Sequence, residues 1–140
     1  PVATEFEQED ISTTLQKCQR YFCKVTGSSG AAYQRFARGH CINTTTTSMG
    51  TYLPQNMRAF PTLGSTGTAS NYAVHRGGGT TNLSIDPALE GGSDAFLSNS
   101  TNNHVNFVCT TAADGLTAGH GCSLNANGSE AAFISFDAEL

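Results

Sequence analysis

The sequence predicts an all-β domain, an antiparallel jelly-roll-like β-sandwich preceded by one short N-terminal helix. Three observations predict it. Short apolar segments alternate at period two and are punctuated by Gly, Pro, Asn and Ser, the pattern of many short strands joined by turns. The polar residues are mostly Thr, Ser, Asn and Gly, since charged residues make up only 13% of the chain, against the usual quarter. Between residues 11 and 25 the apolar spacing changes from helical to strand-like. With 140 residues, 38% hydrophobic content and a net charge of −4, the chain can bury one core and lacks the charge excess of a disordered chain.

Residues 1–18 read as a linker and neck helix, and 19–140 as the sandwich. Glu5, Glu7, Gln8 and Glu9 keep the linker solvated, and Asp10 is placed to cap a helix starting at Ile11. Ile11, Leu15, Cys18 and Phe22 follow 4-3-4 spacing and fall on one helical stripe. The helix ends near Lys17 or Cys18. It is shorter than the roughly 12 residues that hold a helix in water, so its stripe must pack on the β-domain or on symmetry mates. From Gln19 onward, Tyr21, Cys23 and Val25 fall on one strand face and Arg20, Phe22 and Lys24 on the other.

Gly27 to Gly30 is a turn signal. Ala31 to Ile42, carrying Tyr33, Phe36 and Cys41, reads as strand broken at Gly39. Thr44 to Thr47 is a β-branched strand that Gly50 ends. Pro54 punctuates the approach to Met57-Arg58, and Phe60 to Leu63 begins the next strand. Asn71 to Arg76 and Thr80 to Ile85, joined across Gly77-Gly78-Gly79, form the clearest hairpin. Asp86 to Gly92 is a loop. Ala95 to Ser98 and Val105 to Cys109 are strands around the polar tip Asn99 to His104. Gly119 to Leu124 and Ala131 to Glu139 close the domain, the last with Ala132, Ile134, Phe136 and Ala138 on one apolar face.

Three segments carry a family resemblance. They are Ala3-Thr4-Glu5-Phe6-Glu7 followed by Leu15 and Cys18-Gln19-Arg20-Tyr21-Phe22, then Leu53-Pro54-Gln55-Asn56-Met57-Arg58-Ala59-Phe60-Pro61-Thr62, and the ending Ile134-Ser135-Phe136-Asp137-Ala138-Glu139-Leu140. In this order the chain resembles tail-fibre and other virion structural proteins of tailed phages, notably phages of cyanobacteria and marine bacteria. There the first segment marks the start of a C-terminal β-sandwich, the second a strand pair and the third the chain end. The resemblance implies a homotrimeric fibre tip or knob on the virion, often receptor-binding. Ile11, Leu15, Cys18 and Phe22 would then register the three chains. It carries no specific binding residues across.

Several function classes recede on composition. An acidic balance with seven Lys and Arg argues against nucleic acid, whose affinity rests on many phosphate contacts. No apolar run reaches the roughly 18–20 residues that insert into a bilayer. No leader pattern opens the sequence, and its start at Pro1 reads as a fragment or processed product. Five cysteines leave at least one without an intrachain partner. Cys18 and Cys23 are poorly placed to bridge each other, Cys109 and Cys122 are open as a cross-strand pair, and buried free thiols are the preferred reading.

No Gly-x-Ser-x-Gly or His-Glu-x-x-His pattern occurs. Among Asp86, Glu90, Asp94, Asp114, Glu130, Asp137 and Glu139, no spacing singles out a glycosidase pair. The chain therefore reads as non-enzymatic. His40-Cys41 and His120-Gly121-Cys122 lack the companion ligands of a zinc site, so no metal and no cofactor are expected.

Glycan recognition would use Tyr or His rings with Asn and Arg hydrogen bonds, since Trp is absent. Tyr72, His75 and Arg76 in the hairpin and Asn99, Asn102, Asn103 and His104 in the loop are the candidates. Against them, Asn-rich loops often serve turns, and Tyr72 also fits a core position. The expected function is a fibre-tip adhesin for host-surface polysaccharide or lipopolysaccharide. A purely structural filament subunit is the alternative, and a glycan depolymerase the third.

Overall fold

The computed structural model describes residues 9–26, 33–66, 68–77, 82–84 and 100–139. A helix, α1 (Ile11–Gln19), leads into nine strands: β1 (Phe22–Thr26), β2 (Arg35–Cys41), β3 (Thr46–Tyr52), β4 (Thr62–Ser65), β5 (Tyr72–Arg76), β6 (Asn82–Ser84), β7 (His104–Thr110), β8 (Gly121–Ala126) and β9 (Phe133–Asp137). They form a three-stranded sheet, β1-β9-β4, and a six-stranded sheet, β6-β5-β8-β2-β3-β7. Every pairing is antiparallel, so the domain is an all-β sandwich behind one short helix. The strand pairing expected of the Asn71–Arg76 hairpin is present, with Val74 opposite Leu83, while Gly78 and Gly79 of its turn lie outside the described residues. The Ala95–Ser98 strand, the Gly27–Gly30 turn and the Asp86–Gly92 loop lie outside the described residues.

Alternation builds the core. Val105, Phe107 and Cys109 on β7 and Leu124 and Ala126 on β8 have no exposed surface, and Met49 on β3 is 1% exposed. The facing sheet contributes Ile134 and Phe136 from β9, flanked by buried Ala132 and Ala138. The Phe107 and Phe136 rings meet between the sheets with centroids 6.2 Å apart, a tilted geometry that aromatic pairs favour. Polar groups in this layer are paired. Thr47 Oγ1 donates to the Cys109 carbonyl at 3.2 Å. The Tyr72 hydroxyl donates to the Phe133 carbonyl at 2.6 Å and accepts from the Thr66 amide at 3.0 Å, tying the sheets at their edge.

Two glycines expected to break strands lie inside them instead. A Cβ on Gly39 would fall on the Ser48 carbonyl and 2.6 Å from Met49 Cα, and one on Gly50 would lie 2.6 Å from His104 Nε2. Glycine here permits close approach rather than ending a strand. The β2–β8 register shifts between Arg35 and Ala37. At such a bulge two consecutive residues share a face. Phe36 and Ala37 are both buried, at 6% and 3% exposed, while Arg35 and Arg38 are exposed.

The segment read around Met57-Arg58 as strand is irregular. Leu53, Met57 and Pro61 are buried at every fourth position. The Met57 amide donates to the Asn102 carbonyl at 2.7 Å, and the Arg58 amide to the Arg20 carbonyl at 2.8 Å.

Asp10 caps α1, accepting from the Ser12 amide at 3.1 Å, and Lys17 pairs with Glu9. No residue of α1 is buried. Ile11 is 84% and Leu15 55% exposed, and Cys18 is exposed as well. Phe22 lies beyond the helix, as the first residue of β1 opposite Asp137, and is 48% exposed. The read alternation of Cys23 and Val25 holds, since both pack against the core.

All five cysteines are free. Cys109 and Cys122 cannot bridge as strand neighbours because β2 and β3 lie between β7 and β8. Burial, with the Cys122 thiol adding to it, pushes the Cys109 thiol up to about 12. Burial, with Cys41 beside it, does the same for Cys122, and burial raises Cys23. A thiol reagent near neutral pH is expected to label Cys18 rapidly. Cys41, Cys109 and Cys122 should react only on unfolding, and rapid native labelling of these three would contradict their burial. Keeping the Cys109 and Cys122 protons favours the folded state. That contribution is full below the ordinary thiol pKa of about 8.5. It is lost as pH rises toward 12, so the melting temperature should fall through this alkaline window.

Candidate functional site

The seven residues singled out for ligand contact divide sharply. Tyr72 has no exposed surface, and its hydroxyl is committed to Phe133 and Thr66, so it is a core residue and not a sugar platform. Arg76 is half-buried and donates through Nη1 to Thr117 Oγ1 at 2.8 Å. Asn99 lies outside the described residues. The Asn102 and Asn103 carbonyls accept from the Met57 and Leu53 amides at 2.7 and 2.9 Å. Asn103 Oδ1 accepts from Thr101 Oγ1 at 2.9 Å. The backbone here ties the loop to the 53–57 segment, and the Asn103 side chain bonds within the loop.

His75 and His104 share the outer face of the six-stranded sheet, on different strands. The register sets a transverse row of cross-strand partners, His75, Ser123, Arg38, Gly50 and Asn106. The next row toward one end holds Ala73, Asn125 and Arg35, with Tyr52 opposite His104 on β3 and β7. Five strands at the usual spacing make the first row roughly 19 Å long. The His104 ring tilts against Tyr52, centroids 4.8 Å apart, and fills the space a side chain at Gly50 would take. Tyr52 is 79% exposed.

Two open hollows flank the arginines. One, of about 420 Å³, is lined by Arg35, Arg38, Gly39, His75, Gly77, Gly121, Cys122 and Ser123. The other, of about 310 Å³, runs from Arg35 to Arg38 and across to Gly50, Thr51 and Tyr52. The glycines leave the backbone bare and make the recesses. Neither guanidinium has an acidic or hydrogen-bonding partner among the described residues. None of the described carboxylates, Glu9, Asp10, Asp114, Glu130, Asp137 and Glu139, lies on a strand of this sheet. Asn125, 5% exposed, carries a buried Oδ1 without a hydrogen-bond partner.

Sequence reasoning missed Arg35, Arg38 and Tyr52. Residues three apart on a regular strand point to opposite faces, and only the bulge brings both arginines to one side. Ser123 and His75 are register neighbours, but no hydrogen bond joins them and no described carboxylate orients the imidazole. The face therefore offers forked donors, hydroxyls, an amide and an aromatic ring, which is binding chemistry.

Among the described residues, no group of three or more His, Cys, Asp or Glu is placed to hold a metal ion. No described helix is long and apolar enough to cross a membrane. Comparison of the chain with family models, curated proteins and solved structures gives no match.

Proposed function

We propose that this protein is a tip or knob module of a phage fibre-like virion protein, held to sister chains through α1 and binding host-surface glycan. The observation that carries the reading is the outer face of the six-stranded sheet. There exposed Tyr52 stands beside open hollows lined by His, Ser and two arginines that have no partner among the described residues. A shallow polar recess with one ring to cover a sugar face and several groups to bond its hydroxyls suits a saccharide. Such sites are weak singly and gain from repetition.

The α1 stripe supplies the repetition. A nine-residue helix with Ile11 and Leu15 in solvent is too short to hold itself, and three copies meeting at an axis would bury those side chains. The homotrimer and the jelly-roll-like kinship belong to this reading, the latter supported by a chain that crosses four times between two antiparallel sheets. The partners would be the rest of the fibre and a host polysaccharide or lipopolysaccharide.

Light scattering on the full chain tests it. The expected mass is three times 14.6 kDa, falling to 14.6 kDa in the Ile11→Asp/Leu15→Asp variant. The variant should also wash from immobilised host polysaccharide about 10²-fold more easily, through lost avidity. A monomer in both cases removes the neck. A mass that grows with concentration makes the chain a filament subunit instead.

A further inference from the structure

We infer that the outer face is built for an anionic saccharide. Arg35 and Arg38 take a carboxylate, sulfate or phosphate oxyanion on a sugar ring, while the ring lies against Tyr52. The inference rests on the glycan-binding reading and adds the charge class of the ligand.

Three observations carry it. The bulge at Arg35 and Ala37 turns two guanidinium groups to the same side of one strand, and both border both hollows. A regular strand would have separated them. Neither has a partner among the described residues, although the chain as a whole carries a charge of −4. A cationic spot without a counter-charge among the described residues concentrates field where an anion would sit, and paired guanidinium forks match planar oxyanions.

Third, the groups beside the arginines are hydrogen-bonding and aromatic, Ser123 and Tyr52, and both described lysines lie elsewhere, Lys17 on α1 and Lys24 on β1. Nucleic acid would call for more phosphate contacts than two arginines give. Strands about 4.8 Å apart step at close to the length of one pyranose in a linear chain, so successive sugars can meet successive strands.

The experiment is calorimetric titration of the full chain with size-matched oligomers of polygalacturonate, dextran sulfate and neutral dextran. Arg35→Gln/Arg38→Gln and Tyr52→Ala are compared with wild type. These side chains are exposed and the arginines have no partner among the described residues, so both variants should keep the wild-type melting temperature. Saturable binding of a carboxylated or sulfated oligomer, at least about tenfold weaker in the double arginine variant and weakened by salt, is expected. Tyr52→Ala should weaken it without changing the salt dependence.

Neutral dextran bound as tightly as the acidic oligomers would overturn the charge assignment and leave the glycan reading standing. Acidic oligomers bound equally well by the double arginine variant would overturn the site. Single-stranded DNA bound equally well would replace the saccharide by general polyanion attraction. No binding to any oligomer would remove the glycan reading itself.

Discussion

Gly39→Ala is expected to cost the protein its fold and every activity of the six-stranded sheet. The added methyl would overlap the Ser48 carbonyl and lie 2.6 Å from Met49 Cα. Both obstacles are backbone, on the strand that pairs directly with β2. Overpacking against movable side chains costs about 1–3 kcal/mol, and here no rotamer change relieves the contact, so the loss should exceed that range. Urea unfolding followed by circular dichroism reads it. A midpoint within error of wild type would mean that β2 and β3 do not approach as the register requires. Arg38 and His40 flank Gly39, so separating these strands also dismantles the arginine-lined hollows.

Phe107→Ala should destabilise by about 3–5 kcal/mol, the usual cost of emptying a fully buried aromatic position. Phe107 has no exposed surface, and its ring meets Phe136 across the two sheets. The site predicts a clean separation of stability from binding. Asn106 and Val108, the strand neighbours of Phe107, belong to the opposite face by alternation, as do the residues around the hollows. The variant should therefore melt earlier while its folded fraction binds ligand as before. Equal losses of both would show that the face depends on the inter-sheet packing beneath it.

What could be read from the chain beforehand was its local grammar. Ala132, Ile134, Phe136 and Ala138 announce a strand by alternation alone, and all four are buried. The Asn71–Arg76 segment with its glycine turn announces a hairpin, and Asp10 announces a cap. The site was poorly legible because it depends on which strands lie side by side. Arg35 and Arg38 share a face only through a bulge against β8, whose first residue lies more than eighty positions downstream. Gly39 and Gly50 looked like strand ends because the closeness of Ser48 and of His104 is a fact of pairing, not of sequence neighbourhood. Tyr72 looked like a ligand ring because nothing nearby in the chain reveals that Phe133 will receive its hydroxyl.

The place of β9 carries a consequence for how the molecule is made. It is the central strand of the smaller sheet, with β1 on one side and β4 on the other, and Ala138 closes the arrangement by donating to the Tyr21 carbonyl at 2.8 Å. During synthesis, β1 and β4 leave the ribosome with open edges and wait for residues 133–137 before either has a neighbour in its sheet. Such long-range closure is slow and exposes strand edges in the interval. Folding of this sheet is thereby a proofreading step. A chain cut short before β9, by premature termination or proteolysis, lacks the piece that joins its earliest strand to the rest, and only finished copies complete the smaller sheet.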